Sequence, residues 1–387
     1  MDKVRYGIIG IGKQGSNYAK RLFKGMDKNG QLVAVCDISE DRRKWAETAL
    51  PGVKIFSDYK EMLASKLIDA VIIDTPHYAH PTIAIDALKA GLNVLCDKPA
   101  GVYTKAVREA AEFGKTKPEL KFGLLYNQRT NKVYKKAKEI IESGRLGNLK
   151  RIVWIITNWY RPQAYYDQGG WRGTWAGEGG GVLINQDPHQ LDLFTWLAGI
   201  PIKKVWSNAK TVGRKINVEN DVTAVCEFEN GATGVFITST HDAPGTNRLE
   251  ITGDGGKIVI EGSNDVSMKL KFTENSVPEP EFSKTNKVFM GKIPNKVSKY
   301  KLGLVDIIKG IIEQQHIVVI RNFSEVVLGK TDKLVAPYAD GLNGLGFSNA
   351  IHLSAWTGKE VVYPYDEDLY IKELDKRIEE EKNSGVK

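Results

Sequence analysis

Val4-Arg5-Tyr6-Gly7-Ile8-Ile9-Gly10-Ile11-Gly12-Lys13-Gln14-Gly15 opens the chain with an apolar strand pattern that runs into a GxGxxG fingerprint. A helix-like run over 16–23 follows, so strand, glycines and helix stand in the order that dinucleotide binding requires. The first glycine permits a tight turn, and the second lets backbone approach a pyrophosphate. The third lets the helix pack close to the strand. Free N–H groups at the helix start, around Lys13 and Gln14, would hold the phosphates. A second strand over 32–36 ends in Asp37, 22 residues after Gly15. That is near the spacing of about 20 at which a carboxylate meets the adenosine ribose. A carboxylate accepts hydrogen bonds from a 2′-hydroxyl and repels a 2′-phosphate. NAD is favoured over NADP, with Arg42 and Arg43 keeping the second open.

Outward from the fingerprint, strand and helix patterns alternate. Strands are predicted at 53–56, 69–75, 94–96 and 120–125, and helices at 59–65, 81–90 and 104–113. This predicts a doubly wound parallel sheet over residues 1–125. In such sheets ligands bind beyond the carboxyl ends of the strands. Thr75, Pro76 and His77 fall there, and so do Asp97 and Lys98 in Asp97-Lys98-Pro99. Proline disfavours helix in the residue before it, so Lys98 should stay extended at the strand end. His80 reads equally as a cofactor contact or an ordinary residue at a helix start.

The totals exclude several classes. The 387 residues carry 42% apolar and 26% charged residues, ordinary values for a globular protein of two or three domains. No apolar run is long enough for a membrane span, and Met1-Asp2-Lys3-Val4 leads directly into a strand with no room for a signal peptide. The net charge of +8 is spread along the chain without a basic tract, so neither nucleic acid nor membrane is an expected partner. Cys36, Cys96 and Cys226 lie in separate apolar segments. They read as buried thiols in a reducing, cytoplasmic setting rather than as disulfide or metal ligands.

A basic helix over 127–143 and a long strand over 149–158 open a second domain, predicted at 126–365. Trp159, Tyr160, Tyr165, Tyr166, Trp171 and Trp175 then crowd one segment, against an aromatic content of 9% overall, with Arg161 and Arg172 among them. Such a segment suits the apolar faces of a sugar, and equally a packed loop or a subunit contact. Glu178-Gly179-Gly180-Gly181 leads to Asn185, His189 and Asp192. If the turn before Pro188 is helical, these three share one face, and imidazole titrates near neutrality as an acid/base should. Short alternating strands from 203 to 261 predict a large, mainly antiparallel sheet. Residues 273–299 read as a polar insertion or long loop. The stretch 341–356 reads as a helix with Asn349 and His352 on its polar side, and 366–387 as a charged helical tail.

The combination resembles the Gfo/Idh/MocA family, named for glucose-fructose oxidoreductase, inositol dehydrogenase and rhizopine catabolism. Its carriers are Gly10–Gly15, Thr75-Pro76, Ala90-Gly91 before Asp97-Lys98-Pro99, and the glycine run before His189 and Asp192. The resemblance covers about 4–262 and 340–365. It implies a Rossmann domain followed by an α+β domain with an open, mainly antiparallel sheet whose flat face builds homodimers or homotetramers. It also implies hydride transfer between NAD and a secondary alcohol of a sugar, glycoside or cyclitol. Lys98 and His189 would be catalytic, with Asn185 and Asp192 orienting the histidine. Asn127 would join the cofactor contacts. Tyr126, Trp171, Arg172 and Trp175 would join Lys98, Asn185 and His189 around the substrate. The family's usual Glu-Lys-Pro is Asp97-Lys98-Pro99 here, and its usual carboxylate four residues before the histidine is Asn185. The asparagine-glutamine variant is similar to members that oxidise the third carbon of a sugar to a 3-keto product. The rivals are an inositol or amino-sugar dehydrogenase and an NAD-binding sensor without turnover.

Overall fold

The computed structural model describes residues 2–264 and 266–385, which fall into two compact units. The first unit comprises residues 1–130 and 309–345, and the second comprises 131–308 and 346–387.

The first unit is built on six parallel strands: β1 (Val4–Ile9), β2 (Gly30–Cys36), β3 (Lys54–Phe56), β4 (Ala70–Ile73), β5 (Asn93–Cys96) and β6 (Phe122–Leu124). Their order is β3-β2-β1-β4-β5-β6, with the reversal of direction between β1 and β4. In register, Ile8 of β1 stands opposite Val35 of β2 and Ile72 of β4. The central strands are apolar along their whole length because helices cover both faces. Tyr6, Ile8, Ile72 and Leu95 lie in the core beneath the helix Lys13–Phe23. The expected second domain differs here. The helix Gln315–Val327, placed by sequence in 126–365, returns to the first unit and sends Ile317, Ile320 and Phe323 into its core. Its Ser324 hydroxyl meets the Tyr6 hydroxyl at 2.6 Å and donates to Asp27 at 2.5 Å, a buried polar chain joining distant parts of the sequence.

The second unit carries nine strands: β7 (Leu149–Ile156), β8 (Ile202–Lys210), β9 (Asp221–Phe228), β10 (Thr233–Ser239), β11 (Asn247–Gly253), β12 (Gly256–Glu261), β13 (Lys269–Asn275), β14 (Asn295–Lys301) and β15 (Val361–Val362). Their order is β14-β13-β12-β11-β7-β10-β9-β8-β15, and only the β7–β10 pair is parallel. One face carries a cluster of Trp154, Phe194, Phe236 and Phe347, contributed by β7, β10 and the helices Pro188–Ala198 and Gly341–Thr357. The predicted polar loop at 273–299 instead holds the end of β13, a helix over Glu279–Thr285 and most of the edge strand β14. β14 is almost wholly exposed, so no apolar alternation marks it in the sequence. The predicted tail is the helix Glu367–Ser384, which belongs to this unit through buried Tyr370 and Leu374.

Candidate active site

In the first unit the fingerprint is fixed by close approach of backbone. Gly10 has φ +87°, and a Cβ there would lie 2.3 Å from the Asp74 carbonyl. A Cβ on Gly15 would lie 2.0 Å from the Gly10 carbonyl, whereas one on Gly12 would meet nothing within 4 Å. Two glycines therefore serve the protein's own packing, and Gly12 keeps the approach to the helix start clear. The N-cap residue of that helix offers no side chain, so the N–H groups ahead of Gly15, whose own N–H meets Asp74, can face an anion. Lys13 is exposed there and Gln14 half-buried. Asp37 ends β2 with one carboxylate oxygen accepting from Ile11 N at 2.8 Å and the other from Ser39 N at 2.9 Å. Arg43 is turned to the Asp37 and Ile38 carbonyls.

Next to it, at the ends of β4 and β5, a polar cluster surrounds Lys98. Asp97 is buried, accepting from Lys98 N at 2.8 Å and from the Tyr18 hydroxyl at 3.1 Å. Asp74, which the sequence reading passed over, is pushed well above the usual carboxylate range by burial and by Asp97 beside it. The Lys98 side chain is half-buried. His80 is buried, with one ring nitrogen 2.8 Å from the Pro99 carbonyl and the other 2.7 Å from that of Thr75. It clamps the two loops together, and burial lowers its pKa. Pro76 is exposed, and His77 stands edge-on to His80 at 6.0 Å. Thr75 Oγ1 and Asn127 Oδ1 are buried without hydrogen-bond partners. These residues fit a dinucleotide: a clear glycine, an uncapped helix start, a carboxylate at the end of β2 and two polar atoms with capacity to spare. His316, also missed, lies with its ring 5.6 Å from that of Tyr18, its pKa lowered by burial. Tyr126, expected at the substrate, belongs to this unit. Its side chain is buried and covered by the Arg129 guanidinium at 5.5 Å, itself paired with Asp340.

In the second unit, backbone bonds from Asn185 N to the Gly181 carbonyl and from Gln186 N to that of Val182 form a helical turn. The regular helix begins at Pro188, which fits a first turn. Asn185 and His189 are half-buried, and Asp192 is buried. Asn185 Nδ2 donates to Glu178, whose carboxylate also accepts from Gly173 N at 2.8 Å and lies 3.6 Å from Arg172. Arg172 donates to the Tyr165 hydroxyl at 2.9 Å and stacks over Tyr165 and Trp171. Trp171 is partly exposed. Trp175 is not. Its indole N–H donates to the Asn217 carbonyl, and its ring packs edge-on to His352 and Trp356, so it supports the loop from beneath. From the terminal helix, Glu381 accepts from Trp175 N and Ala176 N.

Asn349 and His352 are likewise buried, because the helix that carries them is enclosed on all sides of their turns. His352 lies 3.1 Å from Glu219, which holds Gly181 N and Leu183 N. Sequence reading quoted Glu178 only as the start of a glycine run and did not single out Glu219. Among the described residues no group of three or more acidic, histidine or cysteine side chains could hold a metal, and no helix is long and apolar enough to cross a membrane.

Residues 4–121 match an oxidoreductase family with an NAD-binding Rossmann fold, and residues 134–259 match the GFO/IDH/MocA C-terminal domain. The chain is 26% identical over 272 residues to a myo-inositol 2-dehydrogenase of Thermotoga maritima, a match spanning 69% of this chain and 78% of that one. The WlbA dehydrogenase of Bordetella pertussis, solved with NADH and UDP-GlcNAcA, superposes with a TM-score of 0.75 at 25% identity, covering 94% of this chain and 100% of that one. A levoglucosan dehydrogenase solved with NADH superposes with a TM-score of 0.76 at 19% identity, over 94% and 100%, a likeness of fold.

Proposed function

We propose that this chain, which belongs to the Gfo/Idh/MocA family of oxidoreductases with an NAD-binding Rossmann fold, oxidises a secondary alcohol of a sugar or glycoside. The observation that carries the reading is the glycine turn, with Gly10 and Gly15 packed on Asp74, Gly12 clear and Ile11 N bound to Asp37, beside a lysine just past the end of β5. Bound NAD supplies the hydride acceptor. Asp37 holds the ribose, and Lys98, positioned by Asp97, holds the substrate oxygen as it becomes an alkoxide. His189 takes the hydroxyl proton, with Asn185 and Asp192 as its positioning residues. Arg172 and Trp171 meet the sugar. Asn185-Gln186 supports oxidation at the third carbon, giving a 3-keto product.

Incubation with NAD and a panel of glucosides, inositols, sugar phosphates and nucleotide sugars, followed by NADH absorbance, tests the reading. Turnover should fall by about 10²–10⁴ in Lys98→Ala and His189→Ala, with NADH binding retained. Wild-type rates in both would remove the mechanism, and turnover on inositols alone would select the cyclitol reading. For assembly, Trp206, Val225 and Val362 lie exposed on one face of the second unit's sheet and support a homodimer or homotetramer formed there. Light scattering on Trp206→Asp, expected to give a smaller species, checks it.

A further inference from the structure

We infer that Glu178 is a positioning residue for His189, supplying through Asn185 the negative charge that an amide lacks. The inference rests on His189 being the proton acceptor of the proposed reaction. Glu178 is 2% exposed, and its carboxylate is engaged by Asn185 Nδ2, by Gly173 N and by Arg172. An amide is planar, so committing its N–H to Glu178 fixes its carbonyl as the acceptor at the opposite edge. Asn185 stands on the helical turn that ends just ahead of Pro188, four residues before His189 in the sequence. A carboxylate behind an amide polarises it, and each hydrogen bond of such a chain strengthens the next. The carboxylate absent from position 185 is thereby supplied from position 178, behind the Asn185 amide.

Besides Asp187 and Asp192 on the segment of His189 itself, both buried, Glu178 is the carboxylate that reaches towards it through Asn185. Arg172 and Gly173 face Glu178 from the aromatic segment and Asn185 from the helical turn, and Glu219 is a further acid whose charge it feels. Glu219 is committed to Gly181 N, Leu183 N and His352. Burial pushes the Glu178 carboxyl up to about 7, so its charge changes in the range where a histidine base works.

The test is a pH titration of His189 by NMR on protein labelled with [13Cε1]-histidine, assigned with His189→Gln. It reads the imidazole directly, so it stands whether or not a sugar substrate is found. Glu178→Gln should lower the His189 pKa by about one unit, a tenfold change in protonation ratio. Asn185→Asp should raise it, and Glu178→Gln with Asn185→Asp should return it towards wild type. In turnover the acid limb of kcat/KM moves to lower pH in Glu178→Gln, because the base must be neutral to act. If Glu178→Gln fails to fold, Asn185→Ala breaks the same link and should give the same fall. An unchanged His189 pKa in whichever of these variants folds, or no recovery in the double variant, overturns the inference.

Discussion

Glu219 and His352 face one another at 3.1 Å with both side chains closed off from solvent. It is a close polar contact in which His352 Nε2 makes no hydrogen bond. Glu219 in turn holds the N–H groups of Gly181 and Leu183, and its own carbonyl accepts from Val182 N. A Cβ on Gly181 would lie 1.8 Å from that carbonyl, so the glycine run before His189 is pressed onto Glu219. Glu219→Ala would leave two buried N–H donors unpaired and should cost about 3–5 kcal/mol of stability. Urea unfolding of the variant checks this. A loss under 1 kcal/mol would mean that the run is held elsewhere.

Gly12 and Gly15 should respond oppositely to alanine. The methyl of Gly15→Ala would strike the Gly10 carbonyl and disturb the fold, whereas that of Gly12→Ala meets no protein atom. Gly12→Ala should therefore keep the wild-type Tm while weakening NADH binding at least about tenfold, because the methyl occupies the pyrophosphate approach. Gly15→Ala should lower Tm. Fluorescence titration with NADH and thermal unfolding separate the two, and undiminished NADH affinity in Gly12→Ala would move the pyrophosphate away from this turn.

Much of the first unit was legible because its signals are local. The fingerprint, the acid after β2 and the strand before Lys98 each declare themselves within a few residues. The return of 309–345 was not, since Ile317, Ile320 and Phe323 form a core stripe that fits either unit equally well. β14 escaped because an exposed edge strand needs no apolar pattern. The carboxylates around Asn185 were hidden for another reason. A glutamate beside three glycines looks solvated, and only the fold closes Arg172, Gly173 and Asn185 over Glu178. His352 likewise sits in a helix that reads as one-sided until Glu219, far away in sequence, provides its buried partner.

Asp37 should set the choice between cofactors. It accepts from Ile11 N and Ser39 N with its two oxygens, leaving lone pairs for a ribose diol. Asp37→Ser removes the charge that repels a 2′-phosphate, with Arg43 close behind on the same turn. NADH affinity should fall about tenfold, the worth of a hydrogen bond to a charged group, while NADPH affinity rises. Titrating both cofactors against both proteins measures the ratio. An unchanged ratio would show that the ribose lies elsewhere.

Glu178 should leave its mark on stability as well as on His189. Its carboxyl is raised from 4.5 to about 7 in the folded chain, chiefly by burial. Between those values the folded state binds a proton that the unfolded state has released, so stability falls as pH rises through that window. From pH 5 to pH 8 this group alone should cost the wild type about 2–3 kcal/mol. Glu178→Gln cannot ionise and loses none of it. The variant, weaker than wild type at pH 5 because its NH2 must face one of the two donors, Asn185 Nδ2 or Gly173 N, that the carboxyl oxygens meet, should close the gap by that amount at pH 8. Urea unfolding of both proteins at the two pH values measures the change. A gap that stays constant would mean that Glu178 ionises in the ordinary carboxylate range and is better solvated than its burial implies.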